Sequence, residues 1–316
     1  GMRMTGISKG KTVFALPGNE QLGSDLASSL GADTGSLSIR HFPDGETYVR
    51  CDTRCDGQDV IVAANLFQPN PIVLPLIYSV HAMRGLGARR VVLASPYLPY
   101  MRQDARFQPG EVITSRIFAQ LISGELDGLV TIDPHLHRYT ELGELYSIPT
   151  CLGHAAPALA SWVKDNIEKP VVIGPDAESE QWVSEVATLA NAPYLVLNKK
   201  RRGDRDVEIA VPRLESWETH TPVLVDDIIS TARTMIETVV HLGDAGYSPP
   251  VCIGVHPIFA GDAYESLTHA GAGRVVTCNT INHPSNAINI NDLVAESAAV
   301  LLAAGEMRDG IRENRR

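Results

Sequence analysis

The sequence is poor in cysteine: Cys51, Cys55, Cys151, Cys252 and Cys278 are few for 316 residues, odd in number and free of Cys-x-x-Cys spacing. They suggest neither a disulfide framework nor a zinc site, and a reducing cytoplasm is the expected compartment. No uninterrupted apolar run reaches the roughly 20 residues that a bilayer requires, so no membrane partner is expected. Gly1 ahead of Met2 reads as an appended residue, and the polar stretch after it lacks the apolar core of a secretory leader. Basic charge is also short. A net charge of −10 argues against nucleic acid as the main partner, because backbone binding needs a basic surface. It leaves room for a small phosphorylated ligand in a local basic pocket. Low-complexity segments are absent, and only the basic tail after Glu306 reads as frayed.

What is present is a repeated alternation of strands and helices. Apolar runs fall at 13–16, 60–64, 91–94, 129–132, 171–173, 194–197, 223–225, 252–255 and 275–277, with helical spacing between them, as at 21–30 and 181–189. Strands this apolar imply mostly parallel sheets flanked by helices on both faces, an α/β class. The length suits two domains, and the halves match each other. Val60-Ile-Val-Ala-Ala64, a helix, Gly85-Leu-Gly-Ala88 and a strand from Val91 are answered by Val223-Leu-Val-Asp-Asp227, a helix, Gly243-Asp-Ala-Gly246 and a strand from Val251. Ala63 and Ala64 stand where the second copy carries Asp226 and Asp227. The expectation is a duplicated α/β domain, 10–154 and 155–305, with a boundary near 151–157 where prolines interrupt the pattern.

The second copy holds the most informative stretch. The run 222–225 reads as a buried parallel strand, Asp226 and Asp227 sit at its tip, and helical spacing after Thr234 places Ser230, Thr231, Ala232, Arg233 and Thr234 at a helix N-terminus. Free N–H groups, the positive end of the helix dipole and the three hydroxyls suit a terminal phosphate. The two acids suit ribose hydroxyls or hydrated Mg2+. An ordinary βα turn with a capping hydroxyl is the other local reading.

Further motifs punctuate the chain. Phe42-Pro-Asp44-Gly-Glu46 reads as a turn after a strand. Arg102-Gln103-Asp104 follows a strand and a Pro-Tyr-Leu-Pro-Tyr turn. Arg102 can grip phosphate oxygens in a bidentate fork, or join Asp104 and Arg106 in a surface ion cluster. Asp133-Pro-His135-Leu-His137 closes a strand, putting His135 at the carboxyl edge of a sheet. The spacing of His135 and His137 suits either a metal or a satisfied polar cluster. Gly174-Pro-Asp176 ends another strand. The run from Lys199 to Arg205 reads as a mobile flap or a solvated charged loop.

Together with His256-Pro-Ile-Phe-Ala-Gly261, these motifs occur in the order found in the ribose-phosphate diphosphokinase (phosphoribosyl pyrophosphate synthetase) family, which the chain resembles over nearly its whole length. The Asp-Asp loop is similar to the binding loop of type I phosphoribosyltransferases. The resemblance implies two such domains, an ATP side and a ribose 5-phosphate side. It implies transfer of the diphosphoryl group of MgATP to the C1 hydroxyl of ribose 5-phosphate. By resemblance, Phe42, Asp44 and Glu46 enter the ATP pocket from a neighbouring subunit of a homo-oligomer, Arg102, Gln103 and His135 bind ATP, and His135 and Asp176 hold Mg2+. Lys199 and Arg201 close over the triphosphate. Residues 226, 227 and 230–234 bind ribose 5-phosphate.

The sequence departs from the family pattern at Ala105, usually arginine, at Ala177-Glu-Ser-Glu-Gln-Trp182, where Gly-Gly is common, and at Ala232-Arg233, often Gly-Gly. Arg233 is expected to point outward. Two rival readings remain, a phosphoribosyltransferase and a non-catalytic regulatory or ligand-sensing homologue.

Overall fold

All nine apolar runs are strands of parallel sheets in the computed structural model, which describes residues 10–136, 139–202, 206–210, 217 and 219–313. The first unit is built from β1 (Lys11–Ala15), α1 (Glu20–Leu30), β2 (Asp33–Thr34), β3 (Leu37–His41), β4 (Thr47–Cys51), β5 (Asp59–Ala63), α2 (Asn70–Gly85), β6 (Arg90–Ala94), α3 (Thr114–Glu125), β7 (Gly128–Ile132) and β8 (Thr150–Gly153). Its parallel sheet has the order β2-β1-β5-β6-β7-β8, and β3 and β4 form a separate antiparallel hairpin.

The second unit repeats the plan with α4 (Ala156–Asn166), β9 (Pro170–Gly174), α5 (Glu180–Ala190), β10 (Tyr194–Val196), β11 (Asn198–Arg202), β12 (Asp206–Ala210), β13 (Thr221–Ile229), α6 (Arg233–Asp244), β14 (Val251–Pro257), α7 (Ala263–His269), β15 (Arg274–Cys278) and β16 (Asn286–Ile288). Its sheet order, β10-β9-β13-β14-β15-β16, has the same pattern, and β11 and β12 again form a hairpin between the second and third sheet strands. The duplication read from the sequence is therefore a duplication of topology. It also equates the hairpin carrying Phe42 with the one carrying Lys199, a correspondence their unlike sequences conceal.

Each sheet is covered by amphipathic helices, so its central strands are buried on both faces. In the first unit Phe14, Val62, Leu76, Leu93, Ile122 and Leu129 form the centre of the core, and in the second Val171, Ile173, Leu224, Val239, Leu242 and Leu267 do so. Each contributes about 2 kcal/mol of burial.

The chain divides by contacts into two compact units, one running to Gly153 and resuming at Asn291, the other His154–Ile290. The expected second domain of 155–305 thus gives up its last helix, α8 (Asn291–Glu313), to the first unit. Val294, Ala295, Ala298, Leu301 and Leu302 form its buried stripe, packed on α1, β7 and β8. Gly153 and Gly128 admit Leu293 and Leu301, where a Cβ would stand 2.8 Å and 2.9 Å from their side chains. The segment expected to fray after Glu306 is helical through Glu313.

A charged cluster reinforces this return. Asp59, almost fully buried, receives two guanidinium forks, from Arg89 (3.1–3.2 Å) and Arg90 (3.0 Å), and both arginines also reach Asp309 on α8. Burial alone would raise the Asp59 carboxyl, but hydrogen bonds from Arg90 and Arg89 outweigh it and hold the group below the usual carboxylate range. Its stabilising contribution is therefore complete above the unfolded value near 4 and is lost as pH falls through the folded value. Asp59→Asn should cost about 2 kcal/mol at neutral pH and flatten the acid limb of the stability curve, as thermal melts between pH 3 and 7 would show.

Candidate active site

In the second unit β13 runs farther than the sequence suggested. Its parallel pairing with β14 continues through Asp226 opposite Gly254 to Ile229 opposite Pro257, so Asp226 and Asp227 lie within the strand rather than at its tip. Gly254 is required by close packing, since a Cβ there would stand 2.5 Å from Ile229 Cδ1. The two acids fold back on the chain: Asp227 N–H donates to Asp226 Oδ1 at 2.8 Å and Ile228 N–H to Asp227 Oδ1 at 2.9 Å. Burial pushes the Asp226 carboxyl well above its ordinary range, and the hydrogen-bonded, like-charged Asp227 carboxyl adds to the shift.

Ser230 and Thr231 lead to Ala232, which adopts the left-handed conformation at φ +60° and is the N-cap of α6. Ala232 makes no side-chain cap hydrogen bond, and the N–H groups that open a helix, at the positive end of its dipole, suit an anion. Arg233, the first helical residue, is exposed, as expected. Thr234 is partly buried, and its carbonyl accepts from the Thr238 hydroxyl. The left-handed turn at Ala232 carries a steric cost that glycine would not. Ala232→Gly should raise the stability of this unit by about 1 kcal/mol, measured by denaturant unfolding.

Asp176 stands two residues past β9. Its carboxylate accepts from Ser179 N–H at 3.1 Å and caps a single 3-10 turn, Ala177–Ser179, that leads into α5. The segment that departs from the family's glycines is thus a built turn. Gly174 permits it, because a Cβ would stand 2.7 Å from Ser179 Oγ. Lys199 and Arg201 lie on β11 opposite Ile209 and Val207. The expected flap is therefore an antiparallel hairpin; its side chains, and residues 203–205, lie outside the described residues.

In the first unit, Phe42, Asp44 and Glu46 sit at the tip of the β3–β4 hairpin. Gly45 N–H donates to Phe42 O and Phe42 N–H to Glu46 O, both at 2.8 Å. Gly45 at φ +93° supplies the left-handed residue that a three-residue hairpin loop needs. Asp44 Oδ1 accepts from Glu46 N–H at 3.0 Å. The Phe42 ring is 40% exposed and packs edge-on to Tyr48, with the Arg40 guanidinium over both rings.

Arg102 and Gln103 follow β6 on an exposed loop. Gln103 Oε1 accepts from the Thr114 hydroxyl, and Gln103 O from Ser115 N–H, which ties this loop to the start of α3. Arg102 donates to the Tyr97 hydroxyl; burial raises that phenol and Arg102 offsets part of the rise. Tyr97 is a contact that sequence reading missed, although it lies in the Pro-Tyr-Leu-Pro-Tyr turn. His135, partly buried, lies three residues past β7 at the carboxyl edge, beyond Asp133 at φ +36°. His137 lies outside the described residues. The first copy's equivalent of the phosphate loop also has a left-handed residue ahead of its helix, Gln68, but Ala63 and Ala64 replace the acids.

The first unit's sequence matches the family model for the N-terminal domain of ribose phosphate pyrophosphokinase over residues 11–124, and residues 141–292 match that of the phosphoribosyl transferase domain. A ribose-phosphate pyrophosphokinase of Methanopyrus kandleri is 32% identical across 90% of this chain and 97% of its own length. The chain belongs to the ribose-phosphate pyrophosphokinase family.

The family relationship extends to the enzyme of Sulfurisphaera tokodaii, 30% identical over 81% of this chain and 89% of that protein. In three dimensions, the phosphoribosylpyrophosphate synthetase of Mycobacterium smegmatis shares the fold with a TM-score of 0.79, at 24% identity, over 94% of this chain and 99% of that one. Both domains are of the type I phosphoribosyltransferase-like kind expected for ribose-phosphate pyrophosphokinases. The domain-model match over 141–292 takes in the Asp-Asp loop, the β11–β12 hairpin and Asp176.

Proposed function

We propose that this chain transfers the diphosphoryl group of MgATP to the anomeric hydroxyl of ribose 5-phosphate, giving AMP and 5-phosphoribosyl 1-pyrophosphate. The C1 oxygen attacks the β-phosphorus, the bond from that phosphorus to the α-phosphate oxygen breaks, and the hydroxyl proton leaves to solvent. The observation that carries this reading is the N-terminus of α6, opened by the left-handed Ala232 a short loop after the Asp226–Asp227 pair, in a chain related along nearly its full length to ribose-phosphate pyrophosphokinases.

Phosphoryl transfer asks a protein for positioning and charge neutralisation more than for covalent chemistry. Ser230, Thr231 and Thr234, with the N–H groups of Ala232, Arg233 and Thr234, hold the 5-phosphate. Asp226 and Asp227 accept from the ribose hydroxyls and orient C1. Arg102, Gln103 and His135 hold ATP, and Lys199 with Arg201 stabilise the charge that builds on the bridging oxygen and the moving phosphoryl oxygens.

Among the described residues no three His, Cys, Asp or Glu side chains converge. Mg2+ that enters on a triphosphate needs only one or two protein ligands beside substrate oxygens and water, so the donor set fits a metal delivered with the nucleotide. His135 and Asp176 would hold it, and when bound it neutralises negative charge on the phosphoryl oxygens.

The exposed β3–β4 tip, with an aromatic ring and two carboxylates, suits an adenine pocket completed between subunits of a homo-oligomer. No described helix is long and apolar enough to cross a membrane, and the cytoplasm remains the proposed compartment. A phosphoribosyltransferase would leave Phe42 and Arg102 without work. A ligand sensor is opposed by the retention of Lys199, Arg201, His135, Asp176 and both acids.

The test is to incubate the chain with MgATP, ribose 5-phosphate and inorganic phosphate and to follow AMP. Release that depends on ribose 5-phosphate supports the reading. ATP binding without AMP would favour the sensor, and pyrophosphate release from 5-phosphoribosyl 1-pyrophosphate with a nucleobase would favour the transferase.

A further inference from the structure

The phosphate loop is held from behind by a strained segment to which the sequence assigns no role. β13 and β14 stop pairing as regular strands at Ile229 and Pro257, yet two more backbone bonds cross between the chains. Phe259 N–H donates to Ile229 O at 2.9 Å, and Ala260 N–H donates to Ser230 O at 3.0 Å. The second fixes the first residue of the phosphate loop itself.

To aim two consecutive N–H groups back at β13, the chain turns through Phe259 at φ +46°, a conformation that bulky residues rarely adopt. Such strain persists only where the surroundings over-determine it. Here an aromatic clamp does so. The Phe259 ring, almost fully buried, lies against the His283 imidazole with centroids 4.5 Å apart and planes 33° apart, and meets Tyr264 edge-on at 5.1 Å. Tyr264 and His283 close the triangle at 4.7 Å and 84°. The His283 ring is fixed in turn. Ser285 N–H donates to its Nδ1 at 3.1 Å, so Nδ1 is an acceptor and a neutral ring carries its proton on Nε2. Ser285 Oγ also lies 2.7 Å from Nδ1 and 2.7 Å from the buried Thr277 hydroxyl. Burial depresses the pKa of His283, which keeps the ring neutral and Nδ1 available.

We infer that Phe259 is a positioning residue for ribose 5-phosphate: its ring, clamped by His283 and Tyr264, holds the backbone turn whose N–H groups fix Ile229 and Ser230 and so aim the phosphate loop. The inference rests on the reading that this loop binds the 5-phosphate. It explains why a large aromatic occupies a position whose backbone conformation favours glycine. The ring supplies an anchor that glycine lacks, and the anchor outweighs the roughly 1–2 kcal/mol of backbone strain.

Phe259→Gly tests this cleanly, because glycine adopts the observed φ freely and the substitution removes only the anchor. In the full chain the KM for ribose 5-phosphate should rise about tenfold while the KM for ATP stays within about twofold. Leu267→Ala on α7, fully buried, is the control for lost core volume. It should lower the melting temperature comparably and leave both KM values within about twofold. If Phe259→Gly does not fold, His283→Ala, at a partly exposed position, should move the ribose 5-phosphate KM in the same direction by about threefold, and His283→Phe, which keeps a ring in the clamp, should restore it. An unmoved KM in the folded variant, or a shift matched by Leu267→Ala, overturns the assignment. A wild-type chain that releases no AMP on ribose 5-phosphate sinks the substrate reading and this assignment together. A wild type that turns over, with variants indifferent in KM, sinks the assignment alone.

Discussion

Lys199→Ala is expected to lower kcat by about 100-fold or more while leaving the Kd for ribose 5-phosphate within about twofold of the native value. The division follows from where the residue stands. Lys199 belongs to the β11–β12 hairpin, whereas the proposed pentose contacts come from β13 and the start of α6. A cation that acts only as charge develops on the moving phosphoryl group removes transition-state stabilisation and little ground-state binding. Arg201→Ala should show the same signature. Steady-state AMP release beside calorimetric titration of ribose 5-phosphate separates the two quantities. Loss of pentose binding in Lys199→Ala would mean that the hairpin contributes to the wrong side of the reaction.

Asp226→Asn is expected to weaken ribose 5-phosphate binding by about 10- to 100-fold, the worth of a charge-assisted hydrogen bond, and at the same time to stabilise the fold at neutral pH. The second effect follows from the sign of the shift. Asp226 in the folded chain titrates well above its ordinary range, through burial first and Asp227 second. The native state therefore holds a proton that the unfolded state releases near pH 4, and stability falls as pH rises from there through the folded value. Asparagine removes both the desolvated charge and its repulsion from Asp227. Thermal melts from pH 4 to 8 should show a higher and flatter profile for the variant. A gain in stability with a loss of binding is the trade expected where function keeps two acids side by side. A variant that binds the sugar normally would detach Asp226 from the pentose.

The sequence made the central strands legible because β5, β6, β7, β9, β13 and β14 are buried on both faces and read as continuous apolar runs. The internal match of Val60-Ile-Val-Ala-Ala64 with Val223-Leu-Val-Asp-Asp227 was legible for the same reason, and both segments lie in the third strand of sheets with one order. The two hairpins were harder. β3 and β4 are largely exposed or half-buried, and β11 is the charged run Asn-Lys-Lys-Arg-Arg, so neither offers an apolar period and their equivalence shows only in topology.

The return of α8 to the first unit rests on contacts such as Leu301 against Gly128 and Asp309 against Arg89, far apart in sequence and invisible to local pattern. The overshoot of β13 past its acids follows from pairing with β14, a tertiary effect. Ala232 and Phe259 occupy left-handed positions that a reader assigns to glycine or asparagine. Both flank the proposed phosphate site, where local rules are most often broken for function.

The central claim is that one chain moves a diphosphoryl group intact from nucleotide to pentose, and phosphorus NMR of a single reaction mixture tests it most directly. With MgATP and ribose 5-phosphate, the ATP signals should give way to AMP and an anomeric diphosphate ester in equal amounts, with ribose 5-phosphate consumed one for one. Formation of ADP in place of AMP, or ATP left unchanged in the presence of the pentose, would contradict the account.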